Sequence, residues 1–242
     1  TGGEPLLTKE TRDKVNLILK KSIELGFQKV VLCTNGNYLG DAYNSDKDTW
    51  EKVKDALLLK ISIDTLQAEV FRQISKIEKG SNYILKKIIE NIEYFKQKDY
   101  KIELNTVLTH FNISELKDIY EYACNLNLVG VKVFTINDFG GKKTILPEDK
   151  LSMKLKELIQ DMLNSKKIYE YEQIFLNGDT GIRMELFSNK SSKEKGCILK
   201  IVDHQRGKDC ITPDRTYGHK CKDCTFYKDK KCATGLMSLT MR

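Results

Sequence analysis

The sequence lacks any apolar run that approaches the roughly 20 residues a membrane-spanning helix needs. It also lacks internal repeats, low-complexity tracts, and a basic stripe interleaved with aromatic residues of the kind that binds nucleic acid. We therefore expect neither a membrane nor nucleic acid as a partner, and we predict a cytoplasmic protein. Because the chain begins at Thr1, any targeting segment would lie upstream of it.

The composition is that of an ordinary globular chain. Hydrophobic residues make up 40% of the chain and charged residues 31%. Its length of 242 residues is enough for one sizeable domain or a domain with a small appendage. The net charge of +7 suits an anionic substrate. A solvated, mildly basic surface explains the same charge equally well.

The seven cysteines are unevenly distributed. Cys33 and Cys124 stand alone in apolar segments, where we predict buried core thiols, and the other five lie between Cys197 and Cys232. Secreted disulfide scaffolds are usually short and rich in cysteine throughout, unlike this chain. The distribution favours a metal or cluster site in a reducing compartment.

Short apolar runs alternate with helical periodicities over most of the chain. Apolar runs at 30–33, 57–63, 102–108 and 131–136 predict strands; helical patterns precede the first run and separate the second from the third and the third from the fourth. This order implies parallel βα units with right-handed crossovers over about residues 6–164. Three further short strands are predicted around 168–175, 181–187 and 198–203.

A glycine-rich segment opens the chain, just before the first helical pattern and its expected N-cap, Thr8. Gly2 and Gly3 have no Cβ, so the backbone there can approach a ligand closely. The Glu4 carboxylate can accept hydrogen bonds from an ammonium group, and Pro5 fixes the turn. These properties alone fit many loops between a strand and a helix.

Four ordered motifs resemble those of the radical S-adenosylmethionine (SAM) superfamily. Gly-Gly-Glu-Pro at 2–5 resembles its SAM-methionine motif, 32–36 its third-strand turn, 61–64 its fourth-strand motif, and Asn105 its fifth-strand position. The resemblance covers residues 1 to about 140. It implies an α/β fold: a partial (β/α) barrel of radical SAM type over 1–165, followed by a small cysteine-rich C-terminal extension over 166–242.

The resemblance also implies a cofactor site. Gly2, Gly3 and Glu4 would hold the methionine amino group of SAM, and Ser62, Asn105 and Lys132 would contact its carboxylate or ribose. The full set of cofactor-binding residues that it implies is Gly2, Gly3, Glu4, Pro5, Thr34, Asn35, Ser62, Asn105 and Lys132. The alternative for Ser62 and Asn105 is that they are polar residues at strand ends that satisfy loop amides.

The Cys-x3-Cys-x2-Cys loop that defines this superfamily is not in the sequence. We expect it upstream of Thr1, so the ligands of the [4Fe–4S] cluster would lie outside this chain, which alone would be inactive. In the superfamily this cluster donates an electron to SAM, and the resulting 5′-deoxyadenosyl radical abstracts a hydrogen from the substrate. The resemblance implies a small-molecule or peptide substrate and an electron donor such as ferredoxin or flavodoxin.

The cysteine tail predicts a second metal site. Cys221 and Cys224 form a Cys-x2-Cys pair, Cys232 follows nearby, and Cys210 or His219 could serve as a fourth ligand. Spacing alone does not separate zinc from an iron–sulfur cluster. The layout resembles the GTP 3′,8-cyclases of molybdenum-cofactor biosynthesis and their MoaA-like relatives, including peptide maturases, and this implies an auxiliary iron–sulfur cluster.

Glu103 departs from the cyclase pattern, which has a lysine at this place. A carboxylate would repel a nucleotide triphosphate, so we expect GTP to bind poorly and Glu103 to contact a neutral or cationic substrate group, such as a peptide amide or amine. The alternative is an ion pair with Lys60 or Lys132. The GTP cyclase itself and a zinc-stapled, non-catalytic binding module remain the other interpretations of the sequence.

Overall fold

The structure of the chain is a computed structural model that describes residues 3–135, 148–176, 182–191 and 196–203. Within these ranges the strands are β1 Val30–Thr34, β2 Leu57–Ser62, β3 Lys101–Leu108, β4 Gly130–Thr135, β5 Tyr169–Leu176, β6 Ile182–Ser188 and β7 Ile198–Asp203. The α-helices are α1 Lys9–Glu24, α2 Leu39–Ser45, α3 Lys47–Val53, α4 Ala68–Ser75, α5 Ser81–Gln97, α6 Leu116–Asn125 and α7 Glu148–Asn164. A 3₁₀ helix, Ile113–Glu115, precedes α6.

The first four strands are parallel and lie in sequential order, β1-β2-β3-β4. Right-handed crossovers between strands in this order all place their helices on the same face of the sheet, which is how a (β/α) barrel is wound. The predicted α/β class and its parallel βα units are therefore confirmed.

The three later strands continue the same sheet. Strand β7 pairs in parallel with β4, β6 pairs antiparallel with β7, and β5 pairs antiparallel with β6. All three had been predicted as strands. Because they extend the sheet rather than starting a new one, the proposed division into 1–165 and 166–242 stays a prediction.

Side chains alternate between two faces along each parallel strand. One face, which we call the apolar face, packs against the helices and is fully or nearly fully buried. Its members are Leu32, Leu59, Ile61, Ile102, Leu104, Val131, Val133, Leu199 and Ile201. The other face, which we call the polar face, carries Cys33, Lys60, Ser62, Glu103, Asn105, Lys132 and Lys200.

The helices begin and end where local chemistry dictates. The Thr8 hydroxyl accepts a hydrogen bond from the Thr11 amide, and the Thr11 hydroxyl accepts one from the Thr8 amide, so the predicted N-cap of α1 is confirmed. Helices α2, α3 and α4 were not predicted, because seven or eight residues give little periodic signal. No helix in the described ranges is long and apolar enough to cross a membrane.

Candidate functional site

Polar residues form a row across the four parallel strands, at the carboxyl ends of β1 and β2 and three residues before the ends of β3 and β4. Ser62 on β2 pairs in register with Asn105 on β3, which pairs with Lys132 on β4. Asn35 directly follows Thr34, the residue that pairs with Ile61, so it lies level with Ser62. The structure thus places four of the predicted cofactor-binding residues in a single row, which we call the strand-end row.

Glu4 fastens the opening segment to the end of β1. Its Oε1 accepts hydrogen bonds from the Thr34 hydroxyl (2.5 Å) and the Leu6 amide (3.1 Å), and its Oε2 accepts one from the Asn35 amide (2.6 Å). Because a carboxylate offers about four acceptor positions, three donors leave about one free for a ligand. Gly2 lies outside the described residues.

The turn around Glu4 uses the conformations that its sequence favours. The Leu7 amide donates to the Glu4 carbonyl, so Pro5 occupies the second position of a turn that its fixed φ suits. Gly3 has a φ of 115°, a conformation that side-chain-bearing residues rarely adopt. The predicted roles of these residues in turn formation and backbone freedom agree with this geometry.

Thr34 and Asn35 shape the loop after β1. The buried Thr34 hydroxyl donates to Glu4 and accepts from the Gly36 amide (3.1 Å), and the Asn35 Oδ1 accepts from the Asn37 amide (3.0 Å). Gly36 has a φ of 82°, and a Cβ there would lie 2.8 Å from Ile61 Cγ2. Only glycine therefore fits, and the hydroxyl of Thr34 is already engaged within the protein.

The Asn105 side chain has a polar atom without a hydrogen-bond partner in the described part of the chain. Its Oδ1 is buried and has no hydrogen-bond partner in the described part of the chain. Nor does a side-chain hydrogen bond link Ser62 or Asn105 to a loop amide within those same residues, as the structural alternative for the pair would require. A buried amide oxygen without a partner costs free energy, so this position fits a ligand better than a purely structural role.

The loops beyond β2 and β3 are tied together by residues that the sequence did not single out. Asp64 Oδ1 accepts from the Val107 amide (2.8 Å), and Asn112 Nδ2 donates to the carbonyls of Asp64 (2.7 Å) and Val107 (2.9 Å). Burial raises the pKa of Asp64, although the Val107 amide partly offsets this. These contacts hold the strand ends on either side of Ser62 and Asn105.

Glu103 lies one step below the strand-end row and is paired within the protein. It is only 1% exposed, its Oε1 lies 2.9 Å from Lys60 Nζ, and its Oε2 accepts a hydrogen bond from Lys200 Nζ. An ion pair with Lys60 was the predicted alternative to a substrate contact, and the structure contains it. Lys200 was not anticipated, because nothing in the sequence places β7 beside β4.

Gly130 lies between Glu103 and β7, the strand that carries Lys200. Glu103 pairs in register with Gly130, which in turn pairs with Ile198 on β7. A Cβ at Gly130 would lie 2.1 Å from the Ile198 carbonyl oxygen, so this position accepts only glycine. Gly130, which carries no side chain, is thus the β4 residue between Glu103 and β7, the strand that carries Lys200.

The charges of Glu103 and of the neighbouring lysines alter the pKa values of Glu103 and Lys132. Burial alone would raise the pKa of Glu103, but the ammonium groups of Lys200 and Lys60 outweigh it and hold that pKa below its usual value. Burial lowers the pKa of Lys132, the nearby Lys60 and Lys200 lower it further, and Glu103 only partly compensates. The cluster is therefore net positive.

The cysteines do not follow the sequence expectations uniformly. Cys33 is exposed on the polar face, so its prediction as a buried thiol is wrong: it occupies the alternate strand position, away from the helices. Cys124 is half-buried and in hydrogen-bonding contact with the buried Cys197, which packs in the core.

The predicted metal ligands of the tail, Cys221, Cys224 and Cys232, lie outside the described residues, as do Cys210 and His219. Within the residues described, no three His, Cys, Asp or Glu side chains come together as a metal site would require. The ligand set in the tail therefore stays a prediction.

Comparison with curated proteins shows a resemblance to one group of enzymes. The chain is 33% identical over 147 residues to GTP 3′,8-cyclase 3 of Mycobacterium bovis and 34% identical over 124 residues to the GTP 3′,8-cyclase of Synechocystis. It is 29% identical over 136 residues to the AdoMet-dependent heme synthase of Methanosarcina barkeri. The predicted resemblance to MoaA-like radical SAM enzymes is confirmed.

The extent of these matches is limited. They cover 58%, 51% and 55% of this chain, and the chain spans about a third of the length of the curated relatives it matches. No protein-family model matches the chain. Among solved structures, Streptococcus suis SuiB matches with a TM-score of 0.49 and 15% identity, over 68% of this chain and 36% of SuiB.

Proposed function

We propose that the strand-end row binds SAM and that the protein is a radical SAM enzyme acting on a small-molecule or peptide substrate. The observation that carries this proposal is Asn105, whose buried Oδ1 has no partner in the described part of the chain and which lies in register with Ser62 and Lys132. Ligands of βα barrels bind toward the carboxyl ends of the strands, and this row lies at the end of β2 and three residues before the ends of β3 and β4. The likeness to the radical SAM enzymes supports the choice of ligand.

The residues present fit SAM group by group. The one acceptor position left on Glu4, beside the glycines at 2 and 3, suits the methionine ammonium, because a charge-assisted hydrogen bond would complete the carboxylate. Ser62, Asn105 and Lys132 offer donors and acceptors to the methionine carboxylate or the ribose. Pro5, Thr34 and Asn35 act by shaping the loops that hold Glu4.

Two iron–sulfur clusters belong to the proposal. A [4Fe–4S] cluster, with ligands outside the described residues and an electron donor such as ferredoxin or flavodoxin, would supply reductive cleavage of SAM and hydrogen abstraction from the substrate. Cys221, Cys224 and Cys232 would bind an auxiliary cluster. This chain's own part is to hold SAM at the strand ends and to position the substrate on the polar face.

The experiment that tests SAM binding is Asn105→Ala in the protein reconstituted anaerobically with iron and sulfide. Removing the amide should weaken SAM binding about tenfold, as expected for one hydrogen bond to a charged or buried group. Equilibrium dialysis with labelled SAM measures the affinity. Val31→Ala, also on an exposed strand position but near the amino end of β1, is the matched control and should leave it unchanged.

Two outcomes would count against SAM at this row. Unaltered affinity in Asn105→Ala would remove Asn105 from the site, and the absence of SAM binding by the wild-type protein would overturn the proposed function. The melting temperatures of both variants, measured without SAM, show whether either substitution acts through unfolding.

The proposed auxiliary cluster has a separate test. Replacing Cys221, Cys224 and Cys232 together by Ala should remove about one cluster's iron while SAM binding persists, because the three thiolates lie outside the strand-end row. Iron analysis and the visible absorption spectrum measure the loss. A zinc site would instead show zinc in the wild type and no charge-transfer absorption, and unchanged iron content would contradict the assignment.

GTP 3′,8-cyclase activity is the second candidate, and the named relatives favour it. The sequence argument against it was the negative charge of Glu103. That argument loses its force in the structure, because two ammonium groups neutralise this carboxylate. GTP titrated into the reconstituted protein separates the candidates: tight binding favours the cyclase, and lack of binding favours another substrate.

A further inference from the structure

Three lysines surround a single carboxylate on the polar face. Lys60 and Lys200 pair with Glu103 from opposite sides, and Lys132 lies in the same neighbourhood, close enough for Lys60, Lys200 and Glu103 to shift its pKa. The four residues come from β2, β3, β4 and β7. We call them the lysine cluster.

The lysine cluster has more hydrogen-bond donors than Glu103 can accept from and more positive charge than Glu103 can neutralise. Three ammonium groups stand against one carboxylate, which leaves a net charge of about +2. Each ammonium has three donors; Lys200 directs one of them at Glu103 Oε2, and Lys60 Nζ lies 2.9 Å from Oε1 as an ion pair. Within the described ranges, no carboxylate lies within ion-pair distance of Lys132.

The location makes this imbalance costly. Lys60 is 23% exposed and Lys200 is 25% exposed, so their charges are only partly screened by water. Like charges held together at half-buried positions repel one another, and the lowered pKa of Lys132 reflects that repulsion and its burial. An anion bound among the three ammonium groups would relieve it.

We propose that Lys60, Lys132 and Lys200 form a subsite for an oxyanion group of the substrate, a carboxylate or a phosphate, with Glu103 as their built-in counter-ion. Lys60 and Glu103 lie one step below the strand-end row, whereas Lys132 belongs to the row and Lys200 lies level with it, so the subsite adjoins the proposed SAM site. The inference rests on the proposed function, because it assigns the class of group that the substrate of that site carries. It replaces the expectation of a neutral or cationic substrate group at Glu103, whose two oxygens already have lysine partners.

The test uses inorganic pyrophosphate and succinate as probes, titrated separately into the reconstituted protein by calorimetry. At least one of them should bind, and Lys60→Gln and Lys200→Gln should each weaken that binding about tenfold, as for the loss of one charge-assisted hydrogen bond. Binding of pyrophosphate alone identifies a phosphate site and binding of succinate alone a carboxylate site. Both outcomes support an oxyanion subsite.

Lys101→Gln is the matched control. Lys101 belongs to β3 and points to the same face as Glu103, but it is exposed and its ammonium donates to the Asp55 carbonyl. Its removal should leave probe binding unchanged. Binding of neither probe, or equal binding by the wild type, Lys60→Gln and Lys200→Gln, overturns the proposal.

Glu103→Gln provides a second readout with the opposite sign. The carboxylate competes with an incoming anion for the two lysines, so the neutral amide should tighten probe binding several-fold while lowering the melting temperature. A purely structural ion pair would lower the melting temperature without tightening probe binding. That result, or a variant that binds the probes more weakly than the wild type, contradicts the counter-ion role.

Labelled SAM measured on the same preparations separates this inference from the proposed function. Probe binding that depends on the lysines in a protein that does not bind SAM would refute the proposed function and leave the oxyanion subsite standing. SAM binding in a protein that binds neither probe would support the proposed function and refute the oxyanion subsite.

Discussion

The two faces of the parallel strands differ more than any other two regions of the molecule. Along β3, Ile102 and Leu104 are fully buried on the apolar face, whereas Glu103 and Asn105 alternate with them on the polar face. One strand thus carries two kinds of information. The apolar face specifies how the chain folds, and the polar face carries the groups that chemistry can use.

The apolar face packs against the helices of the same chain. Its side chains meet those of α1, α3, α5 and α6, and the ring of Trp50 packs against Phe95 and Tyr100 in the same core. Even the polar atom of that ring is answered, because the Trp50 indole donates to Asn16 Oδ1 (2.9 Å). The buried hydroxyls of Tyr100 and Tyr122, by contrast, have no hydrogen-bond partner in the described part of the chain.

The polar face is not satisfied within the described part of the chain. Asn105 Oδ1 has no partner there, and the lysine cluster carries more positive charge than Glu103 balances. Buried polar groups in native proteins are nearly always paired, and exceptions call for an explanation. What distinguishes the polar face is an unpaired amide oxygen next to an excess of positive charge, and we therefore place the candidate site there.

The largest effect should come from truncating the apolar face. Leu104→Ala removes a side chain that is 0% exposed and should cost about 2–5 kcal/mol of unfolding free energy, since the cavity collapses only partly. Val107→Ala on the same strand is the matched control. Val107 is 39% exposed and faces the other way, so its loss should cost less than about 1 kcal/mol.

Urea denaturation followed by far-ultraviolet circular dichroism measures both values. Equal losses of unfolding free energy in the two variants would contradict the difference between the faces. They would show that the exposed positions on the polar face are as tightly packed as the core. A larger loss for Val107→Ala would indicate that its surroundings bury it.

Much of the fold could be predicted because strand and helix periods differ. The runs that became β1 and β2 are nearly continuous in apolar residues, those that became β3 and β4 alternate apolar and polar residues, and α5 carries a regular apolar stripe. The short helices α2 to α4 could not be predicted, because one or two turns repeat the pattern too few times. The pairing of β7 with β4 is a long-range contact that no local pattern encodes.

The candidate site was predictable in its strand-end row but not in its contacts. Ser62, Asn105 and Lys132 were named from the family resemblance, and the parallel register of β2, β3 and β4 brings them into one row. That Thr34 turns its hydroxyl to Glu4 depends on the loop conformation. That Lys200 reaches Glu103 depends on β7, and the sequence therefore missed the positive character of the cluster.

The smaller effect concerns the pH dependence of stability, and it separates the buried Glu103 carboxylate, which pairs with two lysines, from the apolar face. The lysines hold the pKa of Glu103 below its ordinary value of 4.5, against the opposing effect of burial. A depressed folded-state pKa contributes stability above the unfolded value, and that contribution is lost as the pH falls through the folded-state pKa. Glu103→Gln removes it, so the variant should be less stable than the wild type by about 1–3 kcal/mol at pH 7. The difference should shrink toward zero in acid, where Glu103 is protonated and resembles the amide.

Leu104→Ala should show a loss of unfolding free energy that does not vary with pH, which makes it the control. Urea denaturation of the three proteins between pH 3 and 7 measures the differences, and a pH-independent loss in Glu103→Gln would show that packing, rather than charge, accounts for the contribution of this residue.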